Sequence, residues 1–183
     1  RGKTLGIIGA GRIGSEVAKN MAKGFGMKIL YVDRNGNAEL ENEIGAKKVE
    51  METLLKESDY VSVHVNLSEE TTHMIGEAQF NMMKPTAIFI NTSRGPVVDE
   101  KALVKALQEK KIFAAGLDVY EKEPELEAGL INLENAVILP HIASATIETR
   151  TKMSLMAAQN LIDALEGKMP QYCVNKDELT PKS

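Results

Sequence analysis

The stretch TLGIIGAGRIG, Thr4–Gly14, decides the fold. It begins as a short apolar run, TLGII, and breaks into glycines at Gly9, Gly11 and Gly14. An amphipathic segment follows at once, in which Ile13, Val17 and Met21 recur every four residues and share one helix face. G-x-G-x-x-G set between a strand and a helix has a physical reading for each glycine. Gly9 permits the tight turn, Gly11 lets backbone approach a pyrophosphate, and Gly14 packs helix on strand, with the helix N-terminus meeting the negative charge. By itself the pattern also fits a plain strand–helix turn. Asp33 gives it context, 19 residues after Gly14 at the end of the second apolar run, KILYV. A carboxylate there accepts hydrogen bonds from a ribose 2′-hydroxyl and repels a 2′-phosphate, which favours NAD over NADP. Two readings compete with this: Asp33 as a turn residue in DRNGN, and Arg34 as a partner for that phosphate.

Outward from this unit the alternation repeats. Further strands are expected at Lys47–Val49, Tyr60–Val63, Ala87–Ile90, Phe113–Leu117 and Ala136–Leu139. Their apolar runs are continuous, as in parallel strands covered on both faces. Asp99 is placed to cap a helix whose Leu103, Val104 and Leu107 share a face. A long helix is expected from about Ala145 to Glu166, where Met153, Met156, Ala157, Asn160, Leu161 and Ala164 follow the 3,4 spacing, the Met residues read as core filler rather than a ligand box, and Gly167 is the stop. The pattern reads as α/β, one doubly wound parallel sheet. One dinucleotide-binding domain is expected over residues 1–168, with 169–183 as a tail that leaves it.

Composition narrows the class. Of 183 residues 43% are hydrophobic but only 4% aromatic, so the core must be aliphatic. With 22 Lys and Arg against 26 Asp and Glu the net charge is −4, which argues against a nucleic-acid partner. No apolar run approaches the ~20 residues that span a bilayer, so no membrane partner is expected. A single cysteine, Cys173, allows no internal disulfide and fits a cytoplasmic setting. The chain starts at Arg1, without a Met or a leader pattern, almost directly in a strand, and reads as a piece of something longer.

In open α/β sheets ligands sit beyond the strands' carboxyl ends. Those ends carry GAGRIG, DRN, HVN, NTSRG, DVYEKEP and PHIAS. An enzyme that moves a hydride onto a carbonyl needs a proton donor and a cation for an anionic substrate. His141 suits the first task, because an imidazole titrates near neutral pH. Arg94 can hold a carboxylate through two parallel hydrogen bonds. Glu123 can orient the imidazole and favour its protonated form. The plainer alternatives are a structural His141, a surface ion pair at Arg94 and a solvated Glu123. His64 and His73 read as structural; the three histidines show no metal-ligand spacing, so no metal is expected. Asp118 reads either as a helix cap or as an acceptor for the nicotinamide amide.

The motifs GIIGAGRIG, NTSRGPVVDEKALVKAL, AAGLDVYEKEP and ILPHIASAT, with VNKDEL as a weaker echo, resemble the cofactor domain of the D-isomer-specific 2-hydroxyacid dehydrogenases. Within that family they are most similar to glyoxylate/hydroxypyruvate reductases. The resemblance covers nearly the whole chain. It implies a Rossmann-type sheet, NAD as cofactor, a small 2-oxo acid as substrate and a homodimer. It implies Arg94 on the substrate's carboxylate and carbonyl, His141 as proton donor and Glu123 as its partner. The dinucleotide would lie on Gly9, Gly11, Arg12, Ile13 and Gly14, on Asp33 and Arg34, near Asn66, and on Thr92, Ser93, Arg94, Asp118, His141 and Ala143. Asn66 stands where the family usually has Pro, and Ala143 where it usually has Gly, a methyl that narrows the space beside His141 or bars a positive φ. The resemblance also implies a second, substrate-binding domain encoded mainly before Arg1. A non-catalytic NAD-sensing or corepressor module is the alternative reading. Another dehydrogenase with the same glycine loop, acting on ketol acids or amino acids, would lack the ordered Arg–Glu–His set.

Overall fold

The computed structural model describes residues 2–179. Seven strands form one sheet: β1 (Thr4–Ile8), β2 (Lys28–Val32), β3 (Lys47–Lys48), β4 (Tyr60–Val63), β5 (Ile88–Asn91), β6 (Ala114–Leu117) and β7 (Ala136–Ile138). Every pairing is parallel, in the order β3-β2-β1-β4-β5-β6-β7. The chain builds outward from β1 in one direction, then returns to β4 on the other side. That reversal lies between β1 and β4. Helices α1 (Arg12–Phe25), α2 (Ala38–Ile44), α3 (Met51–Glu57), α4 (Glu77–Met82) and α5 (Glu100–Gln108) make the crossovers.

Successive side chains on a strand point to opposite faces, and both faces are apolar here. Leu5, Ile7, Ile29 and Tyr31 join Ala18 and Leu40 in one core cluster. Ile8 and Leu30, on the alternate positions, join Val61, Phe89, Leu54, Phe80, Leu103 and Leu107 in the other. This is why the strands read as continuous apolar runs, and why their observed bounds fall within a residue of those expected.

Two helices end as their sequence dictates. Asp99 accepts the Ala102 N–H at 3.1 Å, and Leu103, Val104 and Leu107 of α5 are buried as expected. Gly26 closes α1 with φ 64°. In α1 the buried residues are Gly14 and Ala18, with Val17, Met21 and Ala22 packed partly against them. Ile13 departs from the expected stripe and is 70% exposed, because it sits in the first turn, above the sheet's carboxyl edge rather than over its face.

Contacts divide the chain after His141. The sheet with α1–α5 makes one unit. The other, from Ile142, holds α6 (Ile147–Leu165) and α7 (Lys176–Leu179). Thr146 caps α6 by accepting the Thr149 N–H, and Gly167 takes φ 72° just past its end. The expected core role of its methionine stripe is corrected: no residue of α6 is buried, and Met153 is 52% exposed. Periodicity identified the residues that share a face, but it carries no information on what covers that face.

Phe89 is fully buried and stacks edge-on against Phe80 at 5.3 Å between ring centres. Phe89→Ala is expected to cost about 3–5 kcal/mol in denaturant unfolding. Phe113→Ala, at a ring 64% exposed, is expected to stay within about 0.5 kcal/mol.

Candidate active site

The glycine loop is held by polar side chains on both sides of its backbone. The Ala10 N–H donates to Asp33 Oδ2 at 2.8 Å. The Ala10 carbonyl accepts from Ser15 Oγ at 2.9 Å and from Asn37 Nδ2 at 3.0 Å. Asn37 also caps α2 through the Leu40 N–H. Gly9 takes φ 95°, and a Cβ at Gly14 would collide with the Gly9 carbonyl, so neither position tolerates a side chain. A Cβ at Gly11 would meet nothing within 4 Å. The turn at Gly9 and the close packing at Gly14 are thus visible, and the space beside Gly11 is open.

This cradle fits a dinucleotide. Among the described residues α1 has neither a side-chain cap nor an acid in its first turn, so its leading amides are left for an anion. Asp33 accepts one amide on each carboxylate oxygen, from Ala10 and, at 3.3 Å, from Asn35. Each oxygen keeps a second lone pair for a ribose hydroxyl. Arg12 and Ile13 lie exposed at the helix start. Arg34 is 89% exposed by side chain and faces Glu70 at 3.8 Å, a loose pair of little energetic weight. Asn66 offers its carbonyl to Thr71 Oγ1 in the loop after β4.

The ends of β5, β6 and β7, neighbours in the sheet, deliver the other polar residues. Asn91, buried at the end of β5, accepts the Ser93 N–H and O–H and donates to the Arg94 carbonyl. It thereby shapes the turn that carries Thr92, Ser93 and Arg94. The Arg94 guanidinium donates to the Ser93 carbonyl at 2.6 Å and forms no ion pair among the described residues. Asp118, after β6, is buried, with its N–H on the Asn91 carbonyl. Glu123, which precedes a cis proline, pairs with His141: Oε2 to Nδ1 is 2.9 Å. Of the three expected catalytic residues, the structure joins these two directly, while Arg94 lies on the adjacent segment. His141 itself takes φ 54°, a left-handed conformation uncommon outside glycine. Ala143, in the C-terminal unit, takes no positive φ, so its methyl meets no backbone conflict there.

Sequence reasoning missed a second carboxylate arrangement. Glu100, 4% exposed at the start of α5, accepts the Glu121 N–H at 2.7 Å, and Glu121 Oε2 accepts the Glu100 N–H at 3.3 Å. Burial pushes the Glu100 carboxyl up. His73 Nε2 lies 2.9 Å from Glu121 Oε1, and His64 Nε2 lies 2.9 Å from Ser62 Oγ. Both histidines have local partners. No group of three or more His, Cys, Asp or Glu that could hold a metal occurs among the described residues.

The fold and this edge together define a class: a dinucleotide-binding α/β domain that carries an acid–imidazole pair on the same sheet edge as its glycine loop. Over residues 1–143 the chain matches the family described as D-isomer specific 2-hydroxyacid dehydrogenase, NAD binding domain, and it belongs to that family. It is 57% identical over 180 residues to a glyoxylate reductase of Thermococcus litoralis, covering 98% of this chain and 54% of that one. Among solved structures it resembles a glyoxylate reductase from Paecilomyes thermophila, with TM-score 0.84, 47% identity, and 92% and 51% of the two chains covered. It also resembles a D-lactate dehydrogenase with NAD+ from Lactobacillus jensenii, with TM-score 0.85, 34% identity, and 95% and 56% covered. The chain thus spans about half the length of these relatives. The family it belongs to makes it an NAD-binding domain.

The Glu123 carboxyl is held below the usual carboxylate range, chiefly by its hydrogen bond with His141; burial opposes this and the Tyr120 N–H assists it. A depressed folded-state pKa contributes stability above the ordinary carboxylate range, and that contribution is lost as pH falls through the depressed value. His141→Ala is expected to move the Glu123 carboxyl midpoint upward, followed by carbon-13 NMR of the side-chain carboxyl. An unmoved midpoint would show that the imidazole is not the cause.

Proposed function

We propose that the chain is the NAD-binding half of a D-2-hydroxyacid dehydrogenase that reduces a small 2-oxo acid of the glyoxylate or hydroxypyruvate type. The observation that carries the reading is the Glu123–His141 pair, on the same sheet edge as the glycine cradle and next to the Arg94 segment. When bound, NAD(H) supplies or accepts the hydride. Glu123 accepts the Nδ1 proton and so fixes the ring orientation, which assigns proton transfer to Nε2. In reduction Nε2 delivers a proton to the carbonyl oxygen; in oxidation it takes one from the hydroxyl. Arg94 exchanges its bond to the Ser93 carbonyl for the substrate carboxylate, where its planar fork suits a two-point contact. Gly9, Gly11, Arg12, Ile13 and Gly14 hold the pyrophosphate side. Asp33 takes the adenosine ribose, with Arg34 and Asn66 near it. Thr92, Ser93 and Asp118 complete the nicotinamide side.

We extend the proposal to the whole protein. Residues 1–168 act as the dinucleotide-binding domain and 169–183 lead back to a substrate-holding domain. The support is that the relatives are about twice as long. A homodimer is carried over from the family resemblance alone, and the single cysteine suits a cytoplasmic setting. No described helix is long and apolar enough to cross a membrane. The reductase names of these relatives favour catalysis over a binding-only module.

Two measurements test this. Calorimetric titration is expected to show NADH bound ~10-fold or more tighter than NADPH, about 1.4 kcal/mol, because Asp33 opposes a 2′-phosphate. Equal affinities would mean that Arg34, released from Glu70, compensates. NADH oxidation with saturating glyoxylate, hydroxypyruvate or pyruvate is expected from a polypeptide extended to the relatives' length. These 183 residues alone are expected to bind NADH with little turnover, since substrate positioning can supply roughly 7–11 kcal/mol of the barrier. No turnover by the extended protein would favour the binding-only module.

A further inference from the structure

The Glu123–His141 pair sits on two separate segments, one after β6 and one after β7, and its side chains are 37% and 51% exposed. An ion pair that open to water contributes little by itself. A cleft of about 300 Å³, lined by Glu123, Leu126, Ile138, Leu139 and His141, opens beside it, so solid packing does not hold the two side chains together. Something else must set one segment against the other.

Tyr120 makes the contacts that could do so. Its ring is 6% exposed within the larger core cluster. Its hydroxyl donates to the Leu139 carbonyl at 2.6 Å, and that same carbonyl accepts the His141 N–H at 3.1 Å. Its own N–H donates to Glu123 Oε1 at 3.2 Å, leaving Oε2 for the imidazole. Its carbonyl lies so close to Gly95 that a Cβ there would collide with it, which brings the segment carrying Arg94 to the same residue. The segments of Arg94, Glu123 and His141 therefore meet on the side-chain hydroxyl, amide and carbonyl of one residue. Burial pushes the Tyr120 phenol pKa up, so the hydroxyl keeps the proton it donates.

We propose that Tyr120 is a positioning residue that registers His141 against Glu123, its hydroxyl fixing the His141 segment through Leu139 while its amide fixes the carboxylate. The inference rests on the dehydrogenase reading for its catalytic meaning, but the geometry it asserts can be read without turnover. The ring tautomer of a neutral histidine follows the hydrogen bond that one nitrogen makes. Long-range proton–nitrogen NMR of His141 in this chain should therefore show the proton on Nδ1. Tyr120→Phe keeps the ring and removes only the hydroxyl. It is expected to raise the ratio of Nε2–H to Nδ1–H about 3-fold or more, the scale of one hydrogen bond, with only a small change in melting temperature.

Tyr120→Leu, which also removes the ring, separates packing from registration. If Tyr120→Leu moves the tautomer ratio and Tyr120→Phe does not, the ring alone matters and the proposal is overturned. An Nε2–H tautomer in the native chain would overturn it too. A second measurement needs no substitution: the hydroxyl proton on Leu139 should exchange slowly and show cross-relaxation to the His141 amide proton, and its absence would equally overturn the proposal. NADH titration of the native chain and both variants judges the functional reading separately. Loss of NADH binding in the native chain would sink that reading and leave the tautomer result standing.

Discussion

Parallel pairing is the constraint on which everything else in the sheet unit depends. Parallel strands cannot be joined by tight hairpins, so each must be followed by a crossover that returns the chain to the opposite edge. All seven carboxyl ends therefore lie along one edge, and whatever follows them is collected there without any further device. Because helices cover both faces, that edge is where polar groups can stand without interrupting the core. The reversal between β1 and β4 is the kind of switch point beside which open α/β sheets bind ligands, and the glycine loop follows β1 there.

Backbone atoms do most of the work in organising the edge. Ala10 is held at both its N–H and its carbonyl by side chains from three other positions. Asn91 shapes the Arg94 turn through main-chain bonds, and Glu100 and Glu121 each hold the other's amide. The functional side chains are thus placed by bonds to their neighbours' peptide groups, while their own polar ends stay accessible. A buried carboxylate such as Glu100 is tolerable in this setting because its oxygens are satisfied by amides.

The legibility of the sequence followed the range of the interactions. Continuous apolar runs reported the strands, because burial on both faces is a local property of four or five residues. The glycine spacing with Asp33 reported the cradle, and the PHIAS and EKEP segments reported His141 and Glu123 as a pair to be joined. Asn37, Glu100, Glu121 and Tyr120 were silent, since their bonds to Ala10, to each other and to Leu139 cross the fold and leave no periodic mark. Ile13 and the α6 methionines were placed in a core by helical spacing alone. Spacing gives a shared face; whether a layer lies against it is decided by the tertiary structure.

The bare start of α1 has a consequence for how binding and folding are connected. A capped helix closes its own first turn; this one begins at Gly11 with no side chain to accept its leading amides. In the free protein those amides must be met by water. On the proposed placement of the cofactor, a pyrophosphate seated there would take the place of the missing cap, so the ligand would complete secondary structure as well as filling a site. Cofactor affinity and the integrity of the helix's first turn would then be two readings of one set of hydrogen bonds, and a saturating dinucleotide would stabilise the unit by mass action through those same atoms.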